Sequence, residues 1–256
     1  MPQHSSSHTI GTPFIELQSV DSTNIYALNK THAGLAQHGM AFFAHEQEAG
    51  KGQRGKTWIS EKGANIILSI VIQPDTLPVS GQFQLSACTA LAMHDFFSQY
   101  AGDATKIKWP NDLYWQDRKA GGVLIESVVV SSASGVGKWE WSIVGMGINI
   151  NQTSFPMELN NPVSLKQITG KIFDPMALAR ELCTKLDSYY QKLINEGFEN
   201  IYAGYLSHLY KKNKVVKLRK ENRVFEALIK TVTPTGQLII QHAIEECIEF
   251  GDVEWL

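Results

Sequence analysis

The sequence has 256 residues, 43% hydrophobic and 19% charged, enough to close a full core and ordinary for a globular chain. Its formal charge of -2 gives no general attraction to nucleic acid or to an anionic membrane, so either partner would need a local basic face. The longest apolar runs, such as Ile66–Ile72, fall far short of the roughly 18 to 20 residues that span a bilayer, and no membrane helix is expected.

The chain starts with MPQHSSSHTIGTPF, polar and without the basic-then-apolar order of a secretory signal. Residues 1–12 therefore read as a flexible tail, and the cytoplasm as the compartment. FIELQSV is strand-like. DSTNIYALNK offers Asp21 or Ser22 as the cap of a short amphipathic helix, AFFAH reads as a strand, and NIILSIVIQP as another that stops at Pro74. In QFQLSACTALAMHDFFSQY the apolar spacing puts Leu85, Cys88, Leu91, Ala92 and Phe96 on one helix face, predicting a helix buried along one side. KIKWP, DLYW, GVLIESVVV and WEWSIVGMGINI are short segments rich in β-branched and aromatic residues, which predict a mixed or antiparallel sheet. DPMALARELCTKLDSYYQKLINEG carries Asp174 as N-cap, Pro175 at the first helical position and Gly197 at the end, marking a long helix, and FENIYAGYLSHLY a second. From Lys211 on, alternating short strands around a TPTG turn predict a small all-β domain, 211–256, behind a main domain, 13–210. Cys88, Cys183 and Cys247 lie far apart with no metal-ligand spacing, so each reads as core, and neither a disulfide framework nor a metal site is expected.

Three stretches could carry chemistry. GKGQRGKTW joins Gly50, Gly52 and Gly55, which permit close backbone approach, to the cations Lys51, Arg54 and Lys56. Such a loop can wrap a phosphate, although it has neither P-loop nor dinucleotide-fold spacing and also fits a solvated hairpin loop. In KWPNDLYWQDRKAGGVLIE, Asn111 and Asp112 make a tight turn as turn formers or as catalysts. Lys119, just before a buried strand, is either a solvated edge charge or an amine aimed into a cleft. In VGMGININ, Gly145 and Gly147 suit a close approach by a ligand or another backbone, with Asn149 as a polar contact, or else a β-bulge.

These stretches, in this order and at these separations, resemble biotin–protein ligases, also called biotin–[acetyl-CoA-carboxylase] ligases or holocarboxylase synthetases. The likeness runs from DSTN to the C-terminus. It implies an α+β fold with a mixed, largely antiparallel sheet and packed helices, the class II synthetase-like fold of biotin and lipoate ligases, followed by a small C-terminal β-barrel of the Src-homology-3 type. It also implies a two-step reaction: biotin and MgATP form biotinyl-5′-AMP and pyrophosphate, and a lysine of a biotin carboxyl-carrier domain then attacks the mixed anhydride.

Carried over position by position, the resemblance implies that Lys119, Asp112 and Lys51 are catalytic. Ser22, Thr23, Asn24, Gln47, Lys51, Gly52, Gln53, Trp58, Lys119 and Gly122 would bind biotin, with Trp58 and Trp109 lining its apolar body. Gly50, Arg54, Gly55, Lys56, Lys108, Asn111, Gly147 and Asn149 would hold ATP or the adenylate. Lys119 would hold the biotin carboxylate and α-phosphate together, and Asp112 would orient or deprotonate the incoming lysine. Lys51 and Gln53 stand where family members commonly have arginines, so a bidentate fork becomes a point charge and a neutral amide, which implies looser retention of the adenylate and labelling of bystander lysines.

Some relatives carry an N-terminal helix-turn-helix repressor domain. Only 13 residues precede Phe14, so a monofunctional ligase with no nucleic-acid or membrane partner is expected. A homodimer is compatible with the sequence. A lipoate–protein ligase is the nearest alternative, but its R-R-x-S-G-G-G type loop is absent, and a non-catalytic biotin-sensing module is the other.

Overall fold

The computed structural model describes residues 9–74, 76–131, 137–159 and 161–256. The chain builds two sheets in turn. The first has strands β1 (Phe14–Leu17), β2 (Ala41–Ala44), β3 (Ile66–Ile72), β4 (Thr105–Lys108), β5 (Asp112–Trp115), β6 (Arg118–Ser131) and β7 (Gly137–Ile148), in the spatial order β1-β2-β3-β7-β6-β5-β4. Only the β1–β2 pair is parallel, because α1 (Thr23–His32) crosses between those strands; the others are antiparallel. The mixed, largely antiparallel sheet expected from the sequence is present.

Period-two alternation sorts the side chains of this sheet onto two faces. Phe43, Leu68, Ile70, Val144 and Met146 point to one face, where they pack with residues of α2 (Gln82–Ala101) and α4 (Pro175–Glu196) in the main core. Phe42, Val71 and Ile143 point to the other and meet Ala27 of α1 in a second, smaller cluster. α1 covers only part of that face, and the remainder is left for the site.

α2 is buried more fully than a single-faced helix. Leu85, Cys88, Leu91, Ala92 and Phe96 are buried as expected, but so are Ala87, Thr89, Ala90, Met93, His94 and Phe97. The reason is that α4 and α5 (Glu199–Ser207) pack onto the side that the sheet does not cover. α4 starts as its sequence indicates, with Asp174 Oδ1 accepting from the backbone N–H groups of Met176 and Ala177 and Pro175 at the first position. A short helix that the sequence reading did not anticipate, α3 (Leu165–Thr169), opens with a reciprocal capping box between Ser164 and Gln167.

After α5, the Ile107 N–H donates to the His208 carbonyl at 2.9 Å and the Tyr210 N–H to the Ile107 carbonyl at 2.8 Å, stitching the chain along edge strand β4. It then enters the second sheet: β8 (Val215–Lys220), β9 (Arg223–Val232), β10 (Leu238–Gln241), β11 (Glu245–Ile248) and β12 (Glu254–Trp255), antiparallel in the order β11-β10-β9-β8-β12.

Two expectations need correcting. Of the tail 1–12, residues 1–8 lie outside the described residues, whereas Ile10 is buried with its N–H donating to Asp187 Oδ1 at 3.0 Å and the Gly11 N–H donates to the Gly39 carbonyl at 2.7 Å, so the chain is anchored at Ile10 and Gly11 while Thr9 and Thr12 stay exposed. Cys88 and Cys183 are core, but Cys247 is exposed, because it lies on edge strand β11 with its side chain on the outward alternation. Among the described residues no helix is long and apolar enough to cross a membrane.

Candidate active site

The site lies on the sheet face that α1 leaves open, over the middle of β6 and β7. Lys119 reaches it through a backbone irregularity. Pairing of β5 with β6 runs Asp112↔Gly122 and Leu113↔Gly121 and then shifts to Tyr114↔Lys119, leaving Ala120 as the extra residue of a bulge. Without the bulge, alternation would turn Lys119 away from Gly122; with it, both share a face. Lys119 Nζ lies 2.7 Å from Asp112 Oδ2, at the start of β5. Gly122 makes room for the pair, since a Cβ there would stand 2.8 Å from Asp112 Oδ1 and 3.4 Å from Lys119 Nζ.

The glycine loop closes over the same face. It is a self-bonded hairpin, with the Trp58 N–H donating to the Gly50 carbonyl at 2.9 Å and the Gly52 N–H to Lys56 at 2.7 Å, around a single 3₁₀ turn at Gln53–Gly55. Gly50 to Gly52 and Gly55 to Thr57, with Leu124 and Glu126 of β6, line an open cavity of about 390 Å³. Lys51 and Lys56 thus face it. Gln53 turns to the neighbouring segment: its Nε2 donates to Asn111 Oδ1 and to the Val123 carbonyl, both at 3.0 Å, and Asn111 Nδ2 also reaches Val123. These bonds tie the glycine loop to the Trp109–Asp112 turn across β6.

The β7 glycines are not a bulge. The β3–β7 register runs unbroken from Ile66↔Ile148 to Ile72↔Ser142. Side chains press on the bare backbone instead: a Cβ at Gly147 would lie 2.5 Å from Trp58 Cε2, and one at Gly145 would lie 2.2 Å from Asn24 Oδ1. Trp58 thereby roofs β7, and its Nε1 is buried with no partner among the described residues.

Below the roof runs a chain of polar groups at the start of α1. Asn24 Nδ2 donates to Glu126 Oε2 at 2.8 Å and to the Leu124 carbonyl at 3.2 Å. Ser69 Oγ lies 2.6 Å from Asn24 Oδ1 and 2.7 Å from Thr23 Oγ1, and Thr23 donates through both N and Oγ1 to Gln47 Oε1. Both Nδ2 hydrogens of Asn24 are thus engaged within the protein. Gln47, with its oxygen occupied, keeps its Nε2 hydrogens for an acceptor beside Gly50. Ser22 is buried as the N-cap and makes no side-chain cap bond.

The electrostatics concentrate cations. Lys108 lies over the rings of Tyr114 and Trp255, and burial lowers its pKa to about 8; Asp112 opposes that shift, while Lys119 and Lys56 add to it. Other expected residues sit elsewhere. Asn149 is buried and donates through Nδ2 to the Val163 carbonyl at 3.1 Å. Trp109 faces the C-terminal sheet, its Nε1 donating to the Gly236 carbonyl at 2.8 Å, so it does not share the Trp58 wall. The Arg54 guanidinium is held by the Gly251 carbonyl at 2.6 Å. Ser69 and Glu126 were not legible from sequence, because only the sheet register brings them beside Asn24.

Residues 16–148 match the model of the Biotin/lipoate A/B protein ligase family, and the chain belongs to that family. Within it, the similarities fall on the biotin side. The chain is 30% identical over 231 residues to the Bifunctional ligase/repressor BirA of Escherichia coli, covering 88% of this chain and 68% of that protein. It is also 30% identical over 234 residues to the Biotin–[acetyl-CoA-carboxylase] ligase of Paracoccus denitrificans, covering 88% of this chain and 92% of that one. The structure of a biotin protein ligase from Aquifex aeolicus in complex with biotin and ATP superposes with a TM-score of 0.77 at 25% identity, over 94% of this chain and 97% of that chain.

Proposed function

We propose that the protein activates biotin with ATP and transfers the biotinyl group to a lysine of a carboxylase carrier domain. The observation that carries this reading is the approach of two segments on one sheet face: Lys51 and Lys56 of the glycine loop line the cavity, Lys56 and the Lys119–Asp112 pair both act on Lys108, and Gln53 ties the loop to Asn111. The biotin carboxylate attacks the α-phosphorus of MgATP and pyrophosphate leaves. Lys119 sits where these two anions meet and offsets their repulsion, and the magnesium ion arrives with the nucleotide as part of the substrate. Lys51 and Lys56 face the phosphates, and Trp58 keeps water from the anhydride.

In the second step the acceptor amine attacks the biotinyl carbonyl and AMP leaves. An ordinary lysine, with a pKa of about 10.4, is charged at neutral pH and must first lose a proton. In this reading Asp112, paired with Lys119 at 2.7 Å, takes it. The polar chain from Glu126 to Gln47 suits a ureido head group, which donates and accepts hydrogen bonds, better than the apolar dithiolane of lipoate. A carboxylase acceptor fits a cytoplasmic reaction, the formal charge of -2 gives no general attraction to nucleic acid, and a homodimer is compatible with this reading.

Pyrophosphate exchange into ATP tests the first step. Exchange dependent on biotin, and not on lipoate, is expected, as is a single biotinyl mass increment on a carrier domain; exchange with lipoate alone would overturn the assignment. Lys119→Ala should lower the exchange rate about 100-fold or more, with biotin binding reduced much less. Equal losses in both would reject its role at the reacting atoms.

A further inference from the structure

The glycine loop spends its cations unequally. Lys51 and Lys56 line the cavity, but Arg54, at the tip, is turned the other way. Its backbone is left-handed, φ 56° and ψ 40°, a conformation uncommon for a residue with a Cβ. That twist delivers its side chain to the turn between β11 and β12, where NH1 donates to the Gly251 carbonyl at 2.6 Å and the guanidinium lies 6.0 Å from the Phe250 ring centroid.

The receiving turn is shaped for this contact. Gly251 has φ +95°, and a Cβ there would stand 2.1 Å from Arg54 NH1, so a side chain is excluded both by conformation and by the guanidinium. Phe250 in turn meets Trp109 edge-on, with ring centroids 5.9 Å apart. Trp109 is two residues before Asn111 and three before Asp112. One turn of the C-terminal sheet therefore touches both segments that form the site.

We propose that Arg54 is a positioning residue and that the Phe250–Gly251 turn is its catch, so that the C-terminal sheet holds the glycine loop across the cavity. The hydrogen bond is exposed and weak by itself. Its effect is on freedom: a glycine-rich loop pinned at its tip samples fewer open arrangements, and less ordering remains to be done when substrate arrives. Only the kinetic consequence, a lower KM for ATP, rests on the ligase reading.

The test is trypsin cleavage at Lys51 and Lys56 in the full-length, ligand-free protein, mapped by mass spectrometry. Arg54→Ala, Phe250→Ala and Gly251→Ala are each expected to speed cleavage about threefold to tenfold, and Arg54→Ala/Gly251→Ala to be no faster than the faster single variant. Arg54→Lys, which retains a donor, should recover part of the protection. Unchanged cleavage in Arg54→Ala, or effects that multiply in the double variant, would overturn the proposal. Arg54 is exposed, so its variants report even if Gly251→Ala fails to fold. In parallel, KM for ATP should rise in Arg54→Ala with kcat changed less; a wild type with no biotin-dependent exchange would sink the ligase reading and leave the proteolysis result standing.

Discussion

In the proposed reading, Glu126 acts on a ligand through the side chain of Asn24, to which it is bonded at 2.8 Å. The amide of Asn24 is locked: Glu126 and the Leu124 carbonyl take its hydrogens, and its oxygen faces Ser69 and the bare backbone of Gly145. Glu126→Ala leaves that amide free to flip and loosens the polar groups leading to Gln47. A hydrogen bond to a charged group contributes about 1.5 to 3 kcal/mol, so KM for biotin should rise about 10-fold or more with kcat little changed. Glu126→Gln keeps an acceptor and should recover most of the affinity, as measured by pyrophosphate exchange against biotin concentration. Lys119 and Asp112 were legible because both lie in one short motif. The partners of Asn24 were not, since they are 45 and 102 residues away in sequence and meet it only through strand register.

At the level of elements, legibility followed how local the signal was. α4 was readable from its cap, its N1 proline and its terminal glycine, all within one segment. Asp174→Ala removes an acceptor for two backbone N–H groups and should cost about 1 kcal/mol, seen as a lower urea midpoint with an unchanged slope. α3 carried the same kind of signal in Ser164 and Gln167, a capping box ahead of only one turn of helix, too short for apolar periodicity to register. The β6 bulge had no readable signature. It arises from pairing with β5, yet it decides on which side of the sheet Lys119 emerges.

On the scale of the whole molecule, two imidazoles mark the seam between the helical layer and the segment leading into the second sheet. His94 of α2 stacks on His208 with ring centroids 3.8 Å apart. His94 Nε2 bonds the Thr105 carbonyl and so carries the proton, leaving buried Nδ1 as the site of further protonation. Burial first, and then His208, lower the His94 pKa from 6.5 to about 4. Between those values the unfolded chain binds the proton and the folded chain does not, so stability is full above about pH 6.5 and is lost as pH falls toward 4. Urea midpoints should drop between pH 7 and pH 5, and His94→Leu should flatten the contribution from that window.

The second sheet also brings its last strand back to the chemistry. Trp255 lies over the Lys108 ammonium, and the Leu256 N–H donates to the Lys217 carbonyl at 3.1 Å. A bulky or acidic group joined after Leu256 would therefore emerge near the Lys108 ammonium and crowd it or compete with an anion for it. A purification handle or reporter belongs at the opposite terminus, and a matched pair of enzymes tagged at either end would reveal the difference in nucleotide affinity.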